Sequence, residues 1–251
     1  MTTLKSRIGS VVIPMLPVNR RTFDILRYEM RALGTRLRNS LSPVYHSRVR
    51  NLRRQRGLSL NLGSGGRGLA GWVNVELIKH RDSTLCLDIR RRLPFASNSV
   101  RRILIEHVLE HVDFRSDVPR LLRELHRVLE PDGILRIVVP DAERFLAAYA
   151  SRDPAAWREL GWDIARLPRD IYTPMHAVNH IFHQGGEHLF AYDFETLKYA
   201  LQEAGFERIE RAAFRQSADP NLTIDQEGHA AHSLYVEAAK QDGVPVEGTQ
   251  R

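Results

Sequence analysis

Short apolar runs alternate with helix-spaced stripes from residue 58 to about residue 147, and this alternation restricts the fold more than any other feature of the chain. The runs fall at 59–62, 72–76, 84–88, 100–105 and 134–139, mostly too short for helices and apolar enough for strands covered on both faces. Between the last two, Val118, Leu121, Leu122, Leu125, Val128 and Leu129 form one apolar helical stripe, and Pro131-Asp132-Gly133 follows as a tight turn. Strands separated by helices predict a mainly parallel sheet with right-handed crossovers. A helix at about 194–204 ends at Gly205, and two further strand-like runs follow at 207–214 and 233–239.

The flanks differ from this core. Residues 1–57 read as a basic helical extension, in which Phe23, Leu26, Met30, Leu33 and Leu37 recur at helical spacing over residues 22–37. Ser42-Pro43 opens a second helix running to about Arg54. Residues 151–190, rich in His, Trp, Tyr and Pro, interrupt the alternation, and residues 241–251 form a polar tail expected to fray. The domain proper is therefore 58–240, with 151–190 inserted in it. The apolar run at 8–18 is broken by Pro14 and Pro17. No stretch approaches the roughly 20 apolar residues of a membrane span. The single cysteine, Cys86, excludes an intrachain disulfide and suits a reducing cytoplasm.

The net charge of +7 is unevenly spread. Arginines crowd residues 20–56, where Asp24 and Glu29 are the only acids. Such a segment can meet nucleic acid, an anionic membrane surface or an acidic substrate, or can simply be a solvated helix face.

The first strand leads into Leu60-Asn61-Leu62-Gly63-Ser64-Gly65-Gly66-Arg67-Gly68. Gly63, Gly65 and Gly68 fit the glycine pattern of nucleotide-binding turns, a pattern that structural turns share. A nicotinamide site expects an acid about 20 residues further on. Glu76 arrives sooner, so the helix between the first two strands must be short or missing.

Gly71-Trp72-Val73-Asn74-Val75-Glu76, then Leu87-Asp88-Ile89, Leu93-Pro94-Phe95, His107-Val108-Leu109-Glu110-His111 and Leu125-His126-Arg127-Val128-Leu129-Glu130-Pro131-Asp132-Gly133 complete an ordered set. In this order the chain resembles class I S-adenosylmethionine-dependent methyltransferases of bacterial glycan and natural-product clusters. The resemblance implies a Rossmann-like α/β fold, a seven-stranded mostly parallel sheet with an antiparallel last strand. It implies S-adenosylmethionine as cofactor, with Asn61, Gly63, Ser64 and Gly65 facing its carboxypropyl end and Glu76 on the ribose hydroxyls. Asp88 and Ile89 would meet the adenine, and Glu106 and His107 would edge the cofactor and acceptor. Asn61 departs from the Asp that relatives often carry near this position.

His107-Val108-Leu109-Glu110-His111 also matches a zinc-hydrolase pattern. With no third ligand evident in the sequence, and with His176, His180, His183 and His188 lacking cysteine or carboxylate companions, no metal is expected. The resemblance places His188, four residues before Tyr192, at the acceptor. His188, then His183 and His180, are the expected general bases. Trp157, Trp162, Tyr172, Phe182 and the histidines would line a lid for a sugar, glycan or secondary metabolite undergoing O-methylation. The alternatives are an RNA methyltransferase using the basic arm and a non-catalytic Rossmann-like binding protein; a homo-oligomer is compatible with all three.

Calorimetry on the purified chain should show binding of S-adenosylmethionine or S-adenosylhomocysteine and none of NAD, and Gly65→Val should weaken it. Tight NAD binding with no response to either adenosyl compound would overturn the cofactor assignment.

Overall fold

The computed structural model describes residues 20–162 and 171–240; the run at 8–18, part of the insertion and the tail lie outside them. Helices α1 (Arg20–Leu41) and α2 (Pro43–Arg54) come first. Ser42 caps α2 by accepting from the Tyr45 amide, with Pro43 in the first turn. The sheet comprises β1 (Leu58–Leu62), β2 (Val73–Glu76), β3 (Leu85–Cys86), β4 (Val100–Glu106), β5 (Leu129–Pro140), β6 (Arg208–Ala212) and β7 (Ser233–Ala239). Helices α3 (Val118–Val128), α4 (Ala142–Ser151), α5 (Pro154–Glu159), α6 (Pro174–His183) and α7 (Phe194–Glu203) complete the regular elements.

The strand order is β3-β2-β1-β4-β5-β7-β6. β7 runs antiparallel to both its neighbours and the other pairs are parallel, as the sequence leads one to expect. β2 and β4 flank β1 on opposite sides, so the chain reverses direction across the sheet there. Ligands of open α/β sheets bind at such a switch point, outside the carboxyl ends of the strands.

The two faces of the sheet are covered differently. Leu60, Leu62, Val73, Val75, Ile103, Ile105, Leu135, Ile137, Val236 and Ala238 alternate onto one face, against the buried stripe of α3, Leu197 and Leu201 of α7 and Leu52 of α2. Each buried aliphatic there contributes roughly 1.5–3 kcal/mol. The opposite face carries Asn61, Asn74, Arg102, Leu104, Glu106, Arg136 and Glu237, and two irregular segments cover it. One is the β1–β2 connection, in which no helix forms; the other is the long β6–β7 connection. Leu69, Trp72, Leu222 and Ile224 supply a small apolar patch over Leu104 and Ile134.

Arginines hold that second cover. Arg136, fully buried in β5, pairs with Asp225 at 2.7 and 2.6 Å and with Glu237 at 2.8 Å, and donates to the carbonyls of Ala213 and Gln216 at 2.9 Å. Arg102 of β4 pairs with Asp219 at 2.5 Å and with Ser59 Oγ at 2.8 Å.

The apolar stripe of α1 lies away from the core: Leu26, Met30, Leu33 and Leu37 are 42–59% exposed. The buried side is Ala32 and Thr35, with Thr35 Oγ1 donating to the Leu77 carbonyl and Asn39 Nδ2 to that of Cys86. Short polar side chains that satisfy the open ends of β2 and β3 win the docking over the larger apolar ones. The insertion is also no simple lid of free aromatics. Trp157 is buried with Phe145, Ile171, Val178 and Ile181 in a small core shared by α4, α5 and α6.

Removing Asp225 leaves a buried guanidinium short of its best partner. Asp225→Ala should cost about 3–5 kcal/mol in urea unfolding, far more than an exposed Asp→Ala change. A loss under 1 kcal/mol would show that the β6–β7 connection is not held this way.

Candidate functional site

The glycine turn lies over the carboxyl end of β1. Gly63 and Ser64 donate their backbone N–H groups to the Val75 carbonyl at 2.9 and 3.2 Å. The rest of the turn hangs on two buried amides. Asn61 Nδ2 donates to the Arg67 carbonyl and to Asn74 Oδ1, both at 3.0 Å. Asn74 in turn accepts from Leu69 N and donates to Leu69 O. These side chains replace the hydrogen bonds that a helix would have supplied. The Asn61 amide, expected to face the cofactor, is thus engaged in shaping the loop.

Gly63 is fixed by a close approach. Its φ is +69°, and a Cβ built there would lie 2.2 Å from Val108 Cγ2. Gly65 is left-handed too, at φ +54°, but a Cβ there would meet nothing within 4 Å. The weakening expected of Gly65→Val therefore comes from backbone strain and not from a clash within the chain.

Glu76, ending β2, accepts from Gly65 N at 2.5 Å through one oxygen and from Leu77 N at 3.1 Å through the other. Asp88 is buried and grips Arg90 at 2.9 and 3.0 Å. Burial pushes its carboxyl up, but the Arg90 hydrogen bonds and charge outweigh this and hold it below the usual range. Arg90 also reaches Glu29 of α1 at 2.6 Å and lies 4.9 Å from the Tyr28 ring centroid. The basic extension thus closes over the Asp88 end of the site, beside the half-buried Ile89.

Glu106 ends β4 inside the second cover. It accepts from Gln226 N and faces His229 Nδ1, both at 3.0 Å, and pairs with Arg67 at 3.1 Å. Burial raises its carboxyl, and the bonds from His229 and Gln226 more than reverse this, keeping it ionised. Arg67 also donates to the Ile224 carbonyl. Asn61, Gly63, Ser64, Arg67, Leu104, Glu106 and Gln226 enclose a cleft of about 20 Å³, room for little more than a water. Ser64 Oγ is buried there without a hydrogen-bond partner among the described residues. An acid, a base and an orphaned hydroxyl around the glycine turn fit the zwitterionic amino acid end of S-adenosylmethionine, provided the half-exposed Arg67 side chain swings outward. The larger cavity, about 170 Å³ between α3 and α7, lies away from these strand ends.

The turn after β4 begins with strain. His107 has φ +52°, rare for a residue with a Cβ, and such outliers concentrate at functional sites. Its Nε2 lies 2.8 Å from Ser233 Oγ, and its ring lies 3.7 Å from that of His229. His232 completes this group, and its imidazole is pushed down to about 4 by burial and by His107, His229 and Arg144 nearby. Sequence reasoning missed Arg67, Gln226, His229 and His232. Only the pair His229 and His232, three residues apart before the last strand, offered a signal.

The three expected bases separate. The backbone turns sharply at Gln184, Gly185 and Gly186, all with positive φ, and returns His188 against α6. There His188 Nδ1 meets the Ile181 carbonyl at 2.5 Å. Its ring lies 4.8 Å from that of His111, whose Nδ1 is 3.0 Å from the Glu187 carbonyl. Burial pushes the His188 imidazole down, so it is neutral near pH 7. His180 packs on Trp162, and His183 is exposed at the end of α6, joined to His188 only through its backbone carbonyl. Glu110 and His111 are joined by a third potential ligand that the sequence did not reveal, His188.

Residues 73–137 match the family model described as a methyltransferase domain. No curated protein matches. Among solved structures, the chain is similar to a SAM-dependent methyltransferase from Thermotoga maritima described as a possible histamine N-methyltransferase, at 17% identity and TM-score 0.44, covering 86% of this chain and 96% of that one. It is similar to a SAM-dependent methyltransferase from Archaeoglobus fulgidus at 14% identity and TM-score 0.45, covering 84% and 94%. It is likewise similar to the 1,6-didemethyltoxoflavin-N1-methyltransferase of Burkholderia thailandensis, solved with its substrate and S-adenosylhomocysteine, at 15% identity and TM-score 0.43, covering 90% and 92%. The family match places residues 73–137, from β2 to within β5, in a methyltransferase domain, and the sheet order is that of an open α/β fold with its switch point at β1.

Gly63→Ala should weaken S-adenosylhomocysteine binding by about 1–3 kcal/mol, the range of left-handed strain, with the clash added. Gly63→Ala/Val108→Ala should recover the part due to the clash, and Gly66→Ala, with open space and no positive φ, should bind as the parent does. Equal affinities across the three variants in calorimetry would remove the close approach from the explanation.

Proposed function

We propose that this chain transfers the methyl group of S-adenosylmethionine to a hydroxyl of a small sugar, glycan or secondary metabolite. The observation that carries the reading is that Glu76, Asp88 and Glu106 lie at the carboxyl ends of β2, β3 and β4, with the buried imidazole of His188 beside His111 on the turn that follows β4. Three acidic side chains with fixed oxygens suit a ligand rich in donors: a ribose diol for Glu76, an adenine amino group for Asp88 and an ammonium for Glu106. Arg67 would take the carboxylate of the same amino acid end.

When bound, the cofactor supplies an already activated methyl group. The protein's task is then alignment, and in-line geometry accounts for most of what it must contribute. Its residues hold the donor at the strand ends and present His188 to the acceptor. With Nδ1 committed to the Ile181 carbonyl, Nε2 is the accepting atom of that ring. Transfer forms a carbon–oxygen bond as the carbon–sulfur bond breaks, and the hydroxyl proton leaves for an accepting site or water.

Where the acceptor is met follows from α1. Leu26, Met30, Leu33 and Leu37 lie exposed along one stripe opposite the docked Ala32 and Thr35, and Arg27, Arg31, Arg36 and Arg38 flank it. An apolar stripe bordered by cations suits the headgroup region of an anionic membrane better than RNA, which needs no aliphatic ridge. Among the described residues no helix is long and apolar enough to cross a membrane, so contact would be peripheral. The lone cysteine supports a cytoplasmic setting.

A screen with radiolabelled cofactor over sugars, phenols, RNA and glycolipids in anionic vesicles tests the reading. Transfer should appear on a hydroxyl acceptor. His188→Ala should then lose roughly 10²-fold in rate with cofactor affinity kept, while His180→Ala and His183→Ala remain near the parent. Labelling of RNA alone would replace this acceptor class. Full activity in His188→Ala would remove that residue from the chemistry.

A further inference from the structure

Among the described residues, Glu110 is the one carboxylate buried with both oxygens lacking a hydrogen-bond partner. It is 1% exposed. A buried carboxylate without partners is costly, so something must neutralise it. His107 is one candidate, its Nδ1 lying 3.3 Å from Glu110 Oε1, but the contact does not have hydrogen-bond geometry. Ser233, His107 and Glu110 do follow one another in the order of a nucleophile–base–acid triad. Ser233, however, is buried at the start of β7 and paired with Pro140, closed to any substrate.

His111 and His188 offer the alternative. One ligand atom from each, with one from Glu110, lies within 4.8 Å of the other two. Each imidazole also has its Nδ1 beside a backbone carbonyl, Glu187 O for His111 and Ile181 O for His188. A carbonyl can only accept, so both rings carry their proton on Nδ1 and leave Nε2 with a free lone pair. Metal-binding histidines are set in this way, the second nitrogen donating to a carbonyl or carboxylate that fixes tautomer and ring direction. Segment 184–190 is itself docked here, as Leu189 N donates to the Glu110 carbonyl at 2.7 Å.

We propose that Glu110, His111 and His188 form a binding site for a divalent transition-metal ion of the zinc type. Two imidazole nitrogens and one carboxylate oxygen suit such an ion and leave a fourth position open. Closing the cluster by small side-chain movements around an ion would give Glu110 the counter-charge it lacks. The site stands on the turn that Glu106 and His107 begin, and an ion there would orient an acceptor oxygen. His188 would then act through the ion rather than as a base. The proposal rests on side-chain geometry and does not require the methyl-transfer reading.

The test uses full-length chain purified without a histidine tag, stripped with a chelator and titrated with Zn²⁺ against a chromogenic competitor. One equivalent should bind and survive gel filtration. Co²⁺ in its place should give visible absorption bands of a four-coordinate site. His111→Ala, at the partly exposed edge, and Glu110→Gln should each weaken zinc by more than the roughly 10–100-fold that loss of a supporting hydrogen bond costs. S-adenosylhomocysteine binding reports that both variants are folded. His107→Ala and His229→Ala, in the neighbouring cluster, should keep the equivalent. No stoichiometric zinc in the parent, or zinc kept by both ligand variants, overturns the site. Zinc bound by a chain that methylates nothing supports it and counts against the proposed function alone.

Discussion

The buried guanidinium of Arg136 is the interaction on which the functional edge depends. A charge at zero exposure in the middle of a sheet is tolerable only with partners on every side, and Asp225, Glu237 and two backbone carbonyls provide them. The partners lie mainly in the β6–β7 connection, which is drawn down over the face of the sheet. Gln226 and His229 then reach Glu106, and Ser233 reaches His107. An apolar residue at position 136 could have packed as well against a helix. What the arginine does is hold a segment whose own regular backbone bonding amounts to two short 3-10 turns, Pro220–Leu222 and Glu227–His229.

The same economy appears at the other end of that face. The ten-residue connection between β1 and β2 makes no helix, and two asparagine side chains supply the bonds that keep it in shape. Gly63 leaves room for Val108 of the turn after β4 to approach closely, so that turn packs directly on the glycine loop. The opposite face needs no such devices, because α2, α3 and α7 bury it with ordinary aliphatic packing. A rigid helical layer thus supports a thinner polar layer that carries the chemistry.

Much of this was legible along the chain. Short apolar runs and one helical stripe sufficed for the strands, their order of appearance and α3, because period and length are local properties. Glu76, Asp88 and Glu106 could be placed at strand ends for the same reason. The docked side of α1 was not legible, since periodicity reports that a helix has an apolar side and not which side docks; Thr35 and Asn39 dock by answering open carbonyls. Trp157, an expected lid aromatic, instead fills a core of its own.

The sequence by itself determined the strand–helix alternation, the glycine turn and the acids that end β2 and β4, because each depends on neighbours a few residues away. Only the tertiary structure decided which of eleven histidines meet. His107 finds His229 and His232 across more than a hundred residues, and Glu110 and His111 find His188 across more than seventy. Those encounters depend on two reversals of the chain, one held by Arg136 and one by the Gln184–Gly186 turn. Neither leaves a periodic trace, since a buried ion pair and a left-handed turn act at single positions, and their partners are chosen by the folded sheet.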